Sequence, residues 1–167
     1  SGRLSMSMPY TEGQIPIYYN HLRTGRPQNN SQHVGRFVAK YTDAPTNPLY
    51  PFGYGLSYGS VNYHKIELEK RKITEQENLE VRIVIENTSD IERDEIIQMY
   101  IRDIAASVVQ PVKRLINFQR IHLLPRQKRQ LTFTLTAADL VFYDRLGSPK
   151  LERGSFELLI EIGRAHV

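Results

Sequence analysis

From Tyr63 onward, apolar and polar residues alternate with a period of two, the pattern of strands that bury one face. In the run 79–86, Leu79, Val81, Ile83 and Ile85 share one side. Asn87-Thr88-Ser89-Asp90 follows, and such side chains bond their own backbone and favour a turn. The run 95–102 puts Ile97, Met99 and Ile101 on one face. Further strands are predicted over 62–68, 117–123, 130–135, 140–143 and 155–162, the last with Phe156, Leu158, Ile160 and Ile162 in alternation. Seven short strands with polar turns between them, in about 100 residues, predict an all-β, antiparallel, two-sheet sandwich. Its expected core holds Val81, Ile83, Ile85, Met99, Ile101, Phe133, Phe156, Leu158 and Ile160. Only Thr136-Ala137-Ala138-Asp139 reads as a helical turn, with Thr136 as its cap.

Residues 1–60 follow a different rule. Leu4, Met6 and Met8 alternate with Ser5 and Ser7 up to Pro9, which predicts one strand and then a break. Pro16 splits the apolar stretch 14–20, and Pro45, Pro48 and Pro51 crowd the approach to residue 52. This segment builds no core of its own. Ile15, Ile17, Tyr18, Tyr19, Phe37, Leu49, Tyr50 and Phe52 nevertheless make it too apolar for a free linker. An irregular N-terminal extension that lies against another surface is the expectation.

Composition changes this picture little. Hydrophobic residues at 40% supply a core, and no apolar run approaches the roughly 18 residues of a membrane span. The absence of cysteine removes disulfide and thiolate chemistry. The net charge of +4 is spread among acids, as in Glu67-Leu68-Glu69-Lys70-Arg71-Lys72. The densest basic cluster, Arg126-Gln127-Lys128-Arg129, falls at an expected turn, so a solvated surface is read here and not a nucleic-acid site.

Candidate chemistry is sparse. His21, His33, His64, His122 and His166 show no metal-ligand spacing, so neither a metal nor a cofactor is expected. Gly147-Ser148-Pro149 is a turn and not a nucleophile elbow, and the glycines of Phe52-Gly53-Tyr54-Gly55-Leu56 suit a tight reversal, not a phosphate cradle. Tyrosine crowds the extension at 10, 18, 19, 41, 50, 54 and 58. Such rings either stack on sugars or pack between domains, and packing is the expected role. Asn29-Asn30-Ser31 and Asn87-Thr88-Ser89 match the glycosylation pattern without informing function.

Three stretches carry more. The first is Gly13-Gln14-Ile15-Pro16-Ile17-Tyr18-Tyr19-Asn20-His21, running into Thr24-Gly25-Arg26-Pro27. The second is Tyr50-Pro51-Phe52-Gly53-Tyr54-Gly55-Leu56-Ser57-Tyr58. The third joins Gln98-Met99-Tyr100-Ile101-Arg102-Asp103 to Val112-Lys113-Arg114-Leu115, Phe118 and Asp139-Leu140-Val141-Phe142-Tyr143-Asp144. In this order they resemble the C-terminal third of bacterial family 3 glycoside hydrolases, of the β-glucosidase and β-xylosidase type.

The resemblance implies three parts. Residues 1–9 would be the last strand of a truncated α/β sandwich domain, 10–58 an interdomain connector, and 59–167 a fibronectin type III-like, immunoglobulin-like β-sandwich. It also implies a parent that hydrolyses terminal β-D-glucosides or β-xylosides with retention, through an Asp nucleophile and a Glu or other acid. Both would lie upstream of this chain. The nucleophile motif of Ser or Thr, Asp and Trp finds no Trp here, and its nearest tripeptides, Ser89-Asp90-Ile91 and Thr42-Asp43-Ala44, fall in a turn and in the connector. No catalytic, cofactor or metal residue is therefore assigned, and the fragment is expected to be inactive. The implied partners are the parent's catalytic domains and its oligosaccharide substrate; the unpaired edge of the predicted strand Leu4–Met8 adds a homodimer through the N-terminal arm, and no nucleic acid or membrane is expected. The alternative is a stand-alone carbohydrate-binding or protein-interaction module. The resemblance leaves open a bacterial cytoplasmic, periplasmic or secreted location.

Overall fold

The structure, a computed structural model, describes residues 2–23 and 39–161. Among these, eight strands run in chain order: β1 Val61–Leu68, β2 Leu79–Asn87, β3 Arg93–Asp103, β4 Arg114–Leu123, β5 Lys128–Leu135, β6 Phe142–Tyr143, β7 Pro149–Lys150 and β8 Phe156–Glu161. One sheet has the order β1-β2-β5 and a second the order β4-β3-β8, while β6 and β7 form a two-stranded ribbon. The resolved pairings are antiparallel. The fold is the all-β sandwich that the alternation predicts.

Contact density divides the chain into two compact units. The first comprises Leu56–Ile97 and Ile116–Gly154; the second comprises the described residues of Gly2–Gly55, Gln98–Leu115 and Ser155–Val167.

In the first unit, alternation becomes burial through register. Val81 lies opposite Phe133, Ile83 opposite Leu131 and Leu79 opposite Leu135, and all six are buried. The edge strand β1 joins with a shift in register between Tyr63 and Ile66. The turn from β1 to β2 is held by Glu77, which accepts from Lys70 Nζ at 2.6 Å and from the Thr74 amide at 2.7 Å. Those bonds, the Lys70 one foremost, hold the Glu77 carboxyl down at about 2.

Asn87 ends β2 fully buried and ties two turns together. Its side-chain amide donates to the carbonyls of Ile91 at 2.8 Å and Leu124 at 2.9 Å, while its Oδ1 accepts from the Ser89 amide at 3.1 Å. The predicted turn at 87–90 is thus an Asx turn, stitched to the Leu124–Gln127 turn by the Asn87 amide and a two-pronged Arg126–Asp90 ion pair at 2.7 and 2.9 Å. The predicted helical turn is a 3-10 helix, Ala137–Leu140. Both the Thr136 hydroxyl and its amide donate to the Asp139 carboxylate at 2.8 Å.

Four expectations need correction. Leu4–Met8 is not a strand: Met8 makes one isolated bridge to Tyr50, and the chain bends at Ser5 and Met6. The Ser7 hydroxyl, turned inward, accepts from the Phe52 amide at 3.3 Å where a ladder would have continued. In the run 140–143 Leu140 ends the 3-10 helix and Val141 caps it, so the strand is only Phe142 and Tyr143, paired with the unforeseen β7. The strand count accordingly rises from seven to eight among the described residues. Finally, Phe156, Leu158 and Ile160 are half-buried, not core: among the described residues β8 lies at the edge of its sheet, paired with β3.

Replacing Phe133, which is 1% exposed, by Ala is expected to cost about 3–5 kcal/mol in urea unfolding. The same change at Phe118, 63% exposed, is expected to stay within about 1 kcal/mol. Equal losses would mean that the register is off by one residue.

Candidate interaction site on the N-terminal arm

β3 carries the run Ile97-Gln98-Met99-Tyr100-Ile101, every member of it buried. A strand turns successive side chains to opposite faces, so both faces of this segment are covered. Within the second unit, the face of Gln98 and Tyr100 is closed by the arm.

Tyr19 provides the main contact. Its ring stacks on Phe52 with centroids 4.2 Å apart and meets Tyr100 edge-on at 6.1 Å. The edge-on geometry satisfies the ring quadrupole better than a face-to-face sandwich. The Tyr19 hydroxyl accepts from the Leu115 amide at 3.3 Å. Two residues on, the His21 carbonyl accepts from the Val112 amide at 2.9 Å, and Leu22 bridges Pro111. The arm is therefore hydrogen-bonded to the segment 111–115.

Gly53 makes the second contact. The Tyr54 amide bonds the Pro51 carbonyl at 3.0 Å, and Gly53 adopts φ 78°, the third position of a type II turn. A β-carbon there would clash with Gln98 Oε1. That oxygen is engaged, accepting from the Tyr100 hydroxyl at 3.2 Å. Burial, and after it the Glu161 carboxylate and Tyr19, push the Tyr100 phenol above its usual range. Lys113 lies 4.7 Å from the Tyr100 ring centre and pairs with Glu161 at 2.6 Å. Gln14 locks the arm to itself: its buried amide accepts from the Tyr10 amide and donates to the Pro45 carbonyl, each at 2.5 Å.

Several apolar side chains of the arm are exposed. Tyr18 faces out where Tyr19 faces in, and Ile15, Leu22, Leu49 and Tyr50 are exposed as well. Of the tyrosines weighed from sequence, Tyr19 packs, while Tyr50 and Tyr54 form a tilted pair 4.8 Å apart.

The remaining sequence candidates disperse. Asp90 is tied to Arg126, whose guanidinium holds the Asp90 carboxyl below its usual range, and Asp43 is exposed on a bend. His64 meets Glu86 at 2.9 Å, His122 meets Asp94 at 3.0 Å, and His21 bonds the Leu22 carbonyl. Among the described residues no three His, Asp or Glu converge as a metal site would require. His33, His166 and the sequon at Asn29 lie outside the described residues, and the Asn87 amide is buried in its own bonds.

Sequence reading missed one pair, Arg93 and Glu95. They are 4% and 2% exposed, joined at 2.6 Å, and Arg93 also donates to Ser57. The signal was present, since both share the period-two face of Ile97, Met99 and Ile101. Buried ion pairs of this kind are costly to break from one side.

Comparison with known proteins places this geometry. Residues 95–162 match the fibronectin type III-like domain family. The whole chain is 35% identical to a periplasmic beta-glucosidase of Salmonella typhimurium, over 22% of that protein. Over 96% of its length it is 33% identical to a putative beta-xylosidase of Formosa agariphila, covering 20% of it. A crystal structure of a beta-glucosidase from Listeria innocua superposes with a TM-score of 0.92 at 41% identity, over 98% of this chain and 22% of that one. The chain belongs to the family 3 glycoside hydrolases as their C-terminal part, containing the fibronectin type III-like domain. It spans about one-fifth of the length of the relatives it matches.

Two substitutions test the arm contacts. Gly53→Ala is expected to lower stability by about 1–3 kcal/mol, from the left-handed backbone and the displaced Gln98. Tyr19→Phe, which loses only the Leu115 bond, should cost about 0.5–1.5 kcal/mol. Urea midpoints unchanged by Gly53→Ala would mean that this turn is not closed against β3.

Proposed function

We propose that this chain is the structural C-terminal module of an enzyme that removes terminal β-D-glucosyl or β-xylosyl units with retention of configuration. The observation that carries the reading is the extent of the similarity: arm and sandwich together, without a break, match one region of β-glucosidases and β-xylosidases. A stand-alone sugar-binding module has no need of the arm, and the similarity would end at the sandwich.

In this reading residues 1–9 belong with a preceding α/β domain, 10–58 connect, and 59–167 form the fibronectin type III-like domain. Retention requires a nucleophilic carboxylate and an acid about 5–5.5 Å apart, flanking the scissile bond. The resemblance puts both in the part of the enzyme that precedes this chain, so the module braces the catalytic body and does not cleave. Its partner is that body, and the oligosaccharide is the body's ligand.

A homodimer through the arm is the second reading, favoured by the exposed Met6 and Met8. Against it, the amides of Leu4 and Met8 already donate to the carbonyls of Tyr54 and Tyr50 at 2.9 and 2.8 Å, bonds that strand exchange would displace.

The 167-residue chain is expected to leave aryl β-glucosides and β-xylosides intact, while the complete gene product hydrolyses one of them. Turnover by the chain that survives repurification, or a complete product inert toward both, would refute the reading.

A further inference from the structure

Within the first unit, β4 and β3 turn outward several side chains that neither the core nor the arm uses. Near its end β4 alternates cleanly: Ile121 and Leu123 are buried, while Phe118, Arg120 and His122 are exposed. Its neighbour β3 turns Asp94 and Ile96 away from the buried Arg93, Glu95 and Ile97. Phe118 is 63% exposed. A lone exposed ring needs no explanation, but this one has company. Arg120, two residues on and so about 7 Å along the strand, belongs to a polar group fixed in place. Its Nη2 donates to one oxygen of Asp94 at 2.6 Å, and His122 Nδ1 donates to the other at 3.0 Å. His122 Nε2 lies 3.7 Å from Glu92. Arg120, and after it His122, hold the Asp94 carboxyl below its usual range, so it is an ionised acceptor at neutral pH.

Three occupants can be weighed. A protein partner would have to cover about 800 Å² here, far more than one ring and a half-buried Ile96 offer. It would also strip water from the Arg120–Asp94 pair, a loss that the pair's attraction seldom offsets. A nucleic acid or other polyanion finds no positive excess, since Asp94 cancels Arg120 and Glu92 stands beside His122. A neutral pyranose meets neither obstacle. Its C–H face lies flat on an aromatic ring, and each hydroxyl of its rim both donates and accepts. A carboxylate oxygen can accept a second bond and a guanidinium carries five donors, so the rim is met without breaking the ion pair.

We propose that Phe118, Arg120, Asp94 and His122 form a binding site for a β-linked gluco- or xylo-oligosaccharide. The Phe118 ring stacks on one pyranose, and the Arg120–Asp94–His122 group takes hydroxyls of the same unit or the next. The sugar class rests on the parent enzyme proposed above, and the module would then hold substrate as well as brace the body.

The test titrates the isotope-labelled 167-residue chain with cellohexaose and with xylohexaose, followed by the backbone amide signals. One of the two should shift residues 94–96 and 118–122 with a dissociation constant of about 0.1–5 mM, as a surface open on one side allows. Phe118→Ala, a change expected to leave the fold nearly as stable, should weaken binding about tenfold or more. Asp94→Asn should weaken it about threefold or more, and Phe118→Tyr, which keeps the ring, should stay within about twofold. No shift with either sugar at about 20 mM overturns the proposal. So do shifts that survive Phe118→Ala. Hydrogen exchange at 118–122 about tenfold slower in the complete gene product than in the chain, without sugar, would overturn it by giving this face to a protein surface. A concentration-dependent dimer of the chain that Phe118→Ala abolishes would give it to a second copy. Sugar binding by the chain beside a complete product inert toward aryl glycosides would defeat the parental reading and leave the site standing. An active product whose module binds neither sugar would do the reverse.

Discussion

A strand buried on both faces cannot exist at the surface of a sandwich without something laid over it. Gln98 to Ile101 of β3 form such a stretch, and their burial is the constraint on which the second unit depends. Gln98 and Tyr100 would otherwise put an amide and a large ring on an outer face. With Tyr19 edge-on to Tyr100 and Gly53 against Gln98, that face becomes an interior one, and its two polar groups bond each other. The arm is thereby part of the fold and not a leash attached to it.

The sandwich was legible because its determinants are local and periodic. Leu79, Val81, Ile83 and Ile85 announce a buried face by spacing alone, and Asn87 to Asp90 announce a turn by side-chain chemistry. Gly53 was readable for the same reason, since a tight reversal at that point demands a residue free to take a positive φ. Thr136 and Asp139 wrote their 3-10 turn in the same local language.

What stayed hidden depends on neighbours distant in sequence. The alternation of Phe156, Leu158 and Ile160 promises a core strand, but it cannot say that β8 lies at the edge of its sheet among the described residues. Leu4, Met6 and Met8 promise a strand, but the inward turn of Ser7 onto Phe52 ends the pairing after one bridge. Arg93 and Glu95 fall on the period-two face of Ile97, Met99 and Ile101, but the pattern cannot say that Ser57, 36 residues from Arg93, joins the pair there. The two-sided burial of β3 was equally out of reach, since Tyr19 lies about eighty residues away from the strand it covers. For function the order is reversed. The motifs that mark the family lie largely in the arm and on β3, which meet across about eighty residues of sequence.

The central claim is that the arm forms one cooperative unit with β3. It is tested most directly by urea unfolding of the full chain beside a chain beginning at Leu56, followed by tyrosine fluorescence and by binding of a hydrophobic dye. Loss of the arm bares Gln98 and Tyr100, so the shorter chain should unfold at clearly lower urea and bind dye before it unfolds. A shorter chain with the same midpoint, the same slope and no dye binding would contradict the account.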